Sequence, residues 1–262
     1  MAKRVREKIG RKTKAKGGQS AAAMALDAPA VRHLQLEERD TLRVRVYRAL
    51  AHGLMTGMFT PGEAVTLRTL AGRLGTSPMP VREAVSRLIA ERALVLLHNR
   101  SVIVPRMSRT RFGELTQARQ TLEGLVAEIA CNRAGSELIA ELTTINEQMK
   151  ACLDKGDVKG ALVHNMAFHF SLYRASGNQV VLPLIEMLWL QAGPFMALSV
   201  TTPNVRWTAK HHKAILAALR AADGVAARVA VESDINDSGR QLLEQAIFEE
   251  HRYAGLVEKA AH

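Results

Sequence analysis

Between residues 41 and 55, apolar side chains return at every fourth position: Leu42, Val46, Leu50 and Leu54. That period puts them on one stripe of a helix, and Asp40 stands where a capping side chain is wanted. Gly57 ends the helix, and Thr60-Pro61-Gly62 forms a turn. A short second helix follows. Thr66 is its cap, Leu67, Leu70, Ala71 and Leu74 its buried face, and Gly75 lies just past its end. Ser77 then caps a third helix, with Pro78 at the first position, where a missing N–H is harmless. Its stripe is Val81, Val85, Leu88 and Ile89, while Arg82, Ser86 and Arg87 fall away from the centre of that stripe. The runs Leu94–Leu97 and Val102–Val104 flank a polar tip, His98-Asn99-Arg100-Ser101, and so predict a β-hairpin.

Three helices and a hairpin are the layout of a winged helix-turn-helix, expected over residues 36–105 with Pro105 at its exit. From Ser108 onward only helical patterns recur. The first uses Leu115, Leu122, Leu125, Val126 and Ile129, and the second Leu138, Leu142, Ile145, Met149 and Leu153. A third runs from Asp157 to about Ala175, and Gly177-Asn178 breaks the chain before a fourth at Val181–Leu198. Two more centre on Ile215/Leu219 and on Val229–Ile247. The expected fold class is mainly α: the winged domain, then an all-α antiparallel helix bundle over residues 106–255.

Composition agrees, with aromatics at 4% and apolar residues at 47% of 262. The net charge of +11 points to an anionic partner, but it is concentrated at one end. Residues 1–16 hold Lys3, Arg4, Arg6, Lys8, Arg11, Lys12, Lys14 and Lys16 against Glu7 alone. Residues 1–35 are therefore expected to be a disordered basic tail, either following phosphates or merely solubilising the chain. No apolar segment follows it as in a secretory signal. The apolar runs fall short of 18 residues, so no membrane span is expected. Cys131 and Cys152 lack metal or redox spacing and read as small core residues of a cytoplasmic protein.

The stretches Pro61-Gly62, Leu70-Ala71-Gly72-Arg73-Leu74-Gly75 and Thr76-Ser77-Pro78-Met79-Pro80-Val81-Arg82-Glu83-Ala84 strongly resemble the GntR family of bacterial repressors. That family reads PG, then LA..LGVSRTPVREAL, then a winged hairpin. The second half is similar to the FadR branch and its helical FCD-type ligand domain. Arg119, Glu123, Asn165, Phe168, His169, Gly177-Asn178, His212, Ile215 and Asp234-Ile235 carry that likeness.

For DNA, the front of the third helix matters most, because its unpaired N–H groups and dipole favour phosphate. Arg82 is the candidate base reader, since a guanidinium can bond guanine twice. Ser77 suits phosphate, and Ser86 shares the face. The resemblance adds Arg68, at a family position that reaches DNA. It also places the wing residues His98, Asn99 and Arg100 along the minor groove or backbone. Pro78-Met79 replaces the family's Arg-Thr, which removes one cation and leaves Met79 on the contacting end. Asn99 and Ala93 stand where the family has glycine.

In the helical domain, Asn165 and His169 are four apart and share a face with Phe168 and Leu172. His212 shares a face with Ile215, Leu216 and Leu219, and Asp234 with Ala227 and Val231. His211 is expected to face solvent. Polar groups aimed into an apolar bundle must serve one another, a metal or a ligand. At these four positions the resemblance implies a divalent metal site. Two imidazoles, a carboxylate and an amide oxygen would suit zinc, nickel or manganese. A hydrogen-bonded network pairing both histidines with Asp234 is the alternative. Arg119 matches a family arginine near the pocket and could hold the carboxylate of an organic-acid effector, with Glu123 beside it. Its alternative role is an i,i+4 pair with Glu123.

The expected protein is thus a regulator, acting as a homodimeric repressor on double-stranded operator DNA and modulated by a small carboxylate. A helical metalloenzyme and a non-specific architectural DNA binder are the competing classes. Neither an obvious general base nor a nucleophile accompanies the histidines, which counts against the enzyme.

Overall fold

The computed structural model describes residues 41–97, 101–201, 209–244 and 248. The basic tail, Asp40 and the wing tip at 98–100 lie outside the described residues. Helix α1 (Leu42–Met55) starts at Thr41, which makes no side-chain cap bond. Val46, Leu50 and Leu54 are buried, and Gly57 closes the helix with φ +67°. Next come strand β1 (Ala64–Thr66) and helix α2 (Leu67–Arg73). The Thr66 hydroxyl accepts from the Thr69 N–H at 3.1 Å, as a cap should. Helix α3 (Pro78–Ala90) has Ser77 at its N-cap position, but the serine side chain makes no cap bond. The expected capping role is corrected there: Ser77 only marks the boundary.

Strands β2 (Val95–Leu96) and β3 (Ser101–Ile103) form the hairpin, and β1 adds to it. The sheet order is β1-β3-β2, both pairs antiparallel, with Val65 opposite Val102 and Thr66 opposite Ser101. Two features correct the sequence reading. The wing is three-stranded, and Ser101 is a buried strand residue rather than part of the tip. Three residues with one buried side chain carry too little periodicity to announce β1, so pairing with β3 makes it a strand. The turn after α3 takes its left-handed conformation at Arg92 (φ 60°), so Ala93 itself needs no glycine.

Helices α4 (Arg109–Cys131), α5 (Ser136–Asp154), α6 (Val158–Ala175), α7 (Val181–Thr201), α8 (Lys210–Arg220) and α9 (Gly224–Glu244) follow. Ser108 caps α4 by accepting from the Arg111 N–H, and Asp157 caps α6 by accepting from the Gly160 N–H. Helix α4 lies along α9, α5 packs on α6, and α7 touches α1, α4, α6 and α9. Cys131 is buried as expected, whereas Cys152 is only half-buried.

One core lies under the winged domain and a larger one among the helices, yet Leu190 of α7 belongs to the first. Helix α7 is a longer apolar segment than the run lengths in the sequence suggested. Val181–Leu198 has a mean hydropathy of 1.5 and is long and apolar enough to span a bilayer by composition. In this fold its Ile185, Trp189, Leu190, Phe195 and Met196 are buried against other elements. A central helix contacted on several sides has few positions left for polar residues.

Candidate functional site

At the front of α3 the first turn is exposed. Ser77, Arg82 and Ser86 face outward, and Met79 is 64% exposed despite its apolar side chain. Pro80 and Val81 are buried, so the helix is seated on its apolar face with the arginine side free. Neither Arg82 nor Arg68 makes a hydrogen bond or ion pair to another described residue. Arg87 differs. Its guanidinium lies 3.7 Å from the Tyr47 ring centroid and pairs with Glu91 at 2.9 Å. The Tyr47 hydroxyl also donates to Glu91, at 2.8 Å, which ties α1 to the end of α3. Burial, then that hydrogen bond, raises the Tyr47 pKa well above its usual value.

Inside the helical domain the sequence-predicted groups converge. His169 Nε2 lies 3.1 Å from Asp234 Oδ2 and 3.3 Å from His212 Nε2. All three ligand atoms fall within 4.8 Å of one another. Asn165 is buried and lines the same small cavity, together with Arg119, His169, Trp189, Met196, Asp234, Ile235 and Ser238. His211 sits apart, but it is not solvent-facing as expected. It is largely buried and bonded to Asp237 at 2.9 Å.

Three partners were not legible beforehand. The Tyr173 hydroxyl donates to Glu123 Oε2 at 2.6 Å and lies 2.9 Å from His169 Nδ1. Burial first, then the Glu123 charge, raises the Tyr173 pKa well above its usual value, so the hydroxyl keeps its proton. That single proton points at Glu123, so Tyr173 must accept from the His169 Nδ1–H. Asn146 Oδ1 lies 3.2 Å from His212 Nδ1 and accepts from it in the same way. Both imidazoles thereby direct Nδ1–H outward, which leaves their Nε2 atoms facing each other and the Asp234 carboxylate. The third partner is Trp189, fully buried against His169 at 5.6 Å between ring centroids.

Three acceptors at such distances, without a proton between them, repel unless a positive charge sits among them. A proton on His169 Nε2 is one solution and a metal ion is the other. Bonds of about 2.0–2.1 Å at tetrahedral angles separate ligand atoms by about 3.3 Å, close to the spacings seen here. Burial and the neighbouring His169 push the His212 pKa down to about 3, so it stays neutral at ordinary pH. Burial disfavours the Asp234 charge, but the His169 hydrogen bond and the histidine charges outweigh it and hold this carboxyl at about 2.

Arg119 and Glu123 do form the i,i+4 pair, with Nε to Oε1 at 2.7 Å, in a nearly dry setting. Burial opposes the Arg119 charge, but Glu123 more than offsets this. Arg119 also borders the cavity, whereas Glu123 does not line it. The paired role is therefore present for both residues, and an approach to a cavity ligand is open to Arg119 alone.

Helix α7 connects the two regions. Trp189 and Met196 line the cavity, while Leu190 enters the winged-domain core. Gln191 donates to the carbonyl of Glu91, the C-cap of α3, at 3.4 Å and accepts from Arg111 at 3.1 Å. Pro194 lies inside α7 and removes the N–H that would bond the Leu190 carbonyl.

A winged helix-turn-helix joined by a shared helix to an all-helical domain with a buried polar centre is the architecture of a DNA-binding regulator. Known proteins agree. The profile for bacterial regulatory proteins of the gntR family matches residues 42–104, and that of the FCD domain matches residues 114–237. The chain belongs to the GntR family, with an FCD domain following the DNA-binding domain. It is 28% identical to the HTH-type transcriptional regulator McbR of Escherichia coli over 70% of this chain and 84% of that protein. An HTH-type regulator from the ttuE-ttuC' region of Agrobacterium vitis is 30% identical over 48% of this chain and 75% of its own length. The solved structure of E. coli McbR/YncC superposes with a TM-score of 0.74 at 27% identity, covering 79% of this chain and 99% of that one. These relatives are transcriptional regulators, and so is this chain; it is not an enzyme.

Proposed function

We propose that the chain is a cytoplasmic, homodimeric repressor whose operator binding is set by a small carboxylate in the helical domain. The reading divides it into a basic tail at 1–35, a DNA-binding domain at 36–105 and an effector domain at 106–255. The observation that carries it is the exposed Arg82, without a partner among the described residues, at the front of a helix seated on its apolar face. Arg82 would read a base, with Arg68, Ser77, Met79 and Ser86 beside it and His98, Asn99 and Arg100 along the backbone. A twofold dimer would present two such helices to a pseudo-palindromic site.

Asn165, His169, His212 and Asp234 would hold a divalent ion, zinc, nickel or manganese. The convergence of two Nε2 atoms on a carboxylate supports this. The ion would supply a fixed positive charge for the effector. Arg119 would orient the acid, and Glu123 would hold Arg119 in place. The cavity, about 20 Å³, has room for an ion or a water. An organic acid must therefore widen it, moving Met196. Because α7 also carries Leu190 and Gln191, that movement changes how the winged domain is held. Coupling of this kind is reciprocal, so the DNA-bound form binds an inducing acid less well.

Footprinting upstream of the neighbouring genes tests the reading. Protection of one pseudo-palindrome is expected. Equal affinity for random DNA, dependent on residues 1–35 and not on Arg82, would instead establish the architectural class.

A further inference from the structure

The buried indole N–H of Trp189 has no acceptor among the described residues, although Trp189 is fully buried and lines the cavity. A buried donor of this kind is normally matched by protein, water or ligand. The ring cannot turn away to find a partner. The Arg119 guanidinium lies 4.9 Å from its centroid, Phe170 meets it edge-on at 5.2 Å, and His169 tilts against it at 5.6 Å.

Arg119 spends Nε and Nη2 on Glu123, and its Nη1 meets the soft sulfur of Met196 at 3.7 Å. The cavity wall thus holds one cationic donor in want of a better acceptor and one neutral donor with none. Glu123 already balances the Arg119 charge, and no other lysine or arginine is among the described residues that line the cavity, so the protein offers little to hold a second carboxylate. We propose that Trp189 reads the effector: its indole N–H bonds the hydroxyl or carbonyl oxygen adjoining the single carboxylate of a small acid. The inference rests on the effector site proposed above. It adds a specificity-determining residue and narrows the ligand to monocarboxylates with a neighbouring oxygen.

Glycolate and acetate are the matched probes, differing by one hydroxyl and small enough to ask the least widening of the cavity. Full-length protein carrying ¹⁵N-tryptophan has two indole resonances, because there are two tryptophans. A Trp207→Phe variant leaves only that of Trp189. Titration, with zinc and with chelator, is expected to move this resonance downfield with glycolate and much less with acetate. Calorimetry should show wild type preferring glycolate by about tenfold, and Trp189→Phe binding both acids alike. Glycolate bound with the resonance unmoved, or with the preference intact in Trp189→Phe, overturns the role of Trp189 and leaves the effector site standing. A donor satisfied only by water would give that result. Failure of both acids to bind overturns the effector site as well. If Trp189→Phe does not fold, the wild-type resonance decides alone.

Discussion

Gly193 of α7 lies against the backbone of Met55 in α1: a β-carbon at position 193 would come within 2.6 Å of the Met55 Cα and 2.7 Å of its carbonyl oxygen. Gly57 faces the same seam, where its own β-carbon would press on Ala197. The two helices touch here backbone to backbone, and backbone cannot swing aside as a flexible side chain does. The contact joins the DNA-binding domain to the helix that lines the cavity.

Gly193→Ala should therefore push α1 and α7 apart. The expected cost is about 1–3 kcal/mol of stability, in the range of overpacked core sites. Operator affinity should respond less to effector in the variant than in wild type. Urea denaturation and operator-binding anisotropy, with and without effector, measure the two effects separately. An unchanged denaturation midpoint would mean that the seam relaxes freely.

Arg82→Ala should lower affinity for the operator by roughly tenfold or more, and relax preference at one base position. Because Arg82 has no partner among the described residues, the melting temperature should hold. Competition assays with single-base operator variants check this. A uniform loss across all sequences would make Arg82 a phosphate contact instead.

Chelation should lower the melting temperature of protein purified with its metal, and elemental analysis should find about one ion per chain. Tyr173→Phe removes the oxygen that accepts the His169 Nδ1–H. It should weaken metal binding by about 10–100-fold, the usual effect of losing such a support. Absence of metal from protein never exposed to chelator would favour the proton on His169 as the charge at this site.

Acid should destabilise the metal-free protein through His212. Its folded pKa, about 3, lies below its ordinary value of 6.5. Above 6.5 neither state holds the proton and nothing is lost. Below it the unfolded chain takes up a proton that the folded chain refuses, so stability falls from about pH 6.5 toward 3. Asp234, held at about 2 against 3.8, adds a further loss only below pH 3.8. Unfolding free energies from urea titrations between pH 7.5 and 4 should decline in wild type, by on the order of a few kcal/mol. His212→Gln should flatten the decline. An equal decline in both proteins would trace the acid sensitivity to other groups.

Much of this was visible in the chain because it is local. Four-residue periodicity gave α1 and the helices of the second domain, and Thr66, Ser108 and Asp157 cap where such residues should. The spacing from Pro61 to Ala84 marked the third helix of the winged domain and the arginine it exposes. Asn165, His169, His212 and Asp234 were recognisable as polar groups on apolar helical faces. Each signal depends on residues within one or two turns of each other.

What the chain did not announce depends on contacts between distant segments. Strand β1 exists because β3 pairs with it. Tyr173, Asn146 and Trp189 look like ordinary helical residues until folding brings Glu123, His212 and the cavity to them. Leu190 reads as one more apolar position of its own helix, yet it completes the core of the other domain. Sequence periodicity says which face of a helix is buried; only packing decides which partner buries it, because burial is non-directional while hydrogen bonds and backbone contacts are not.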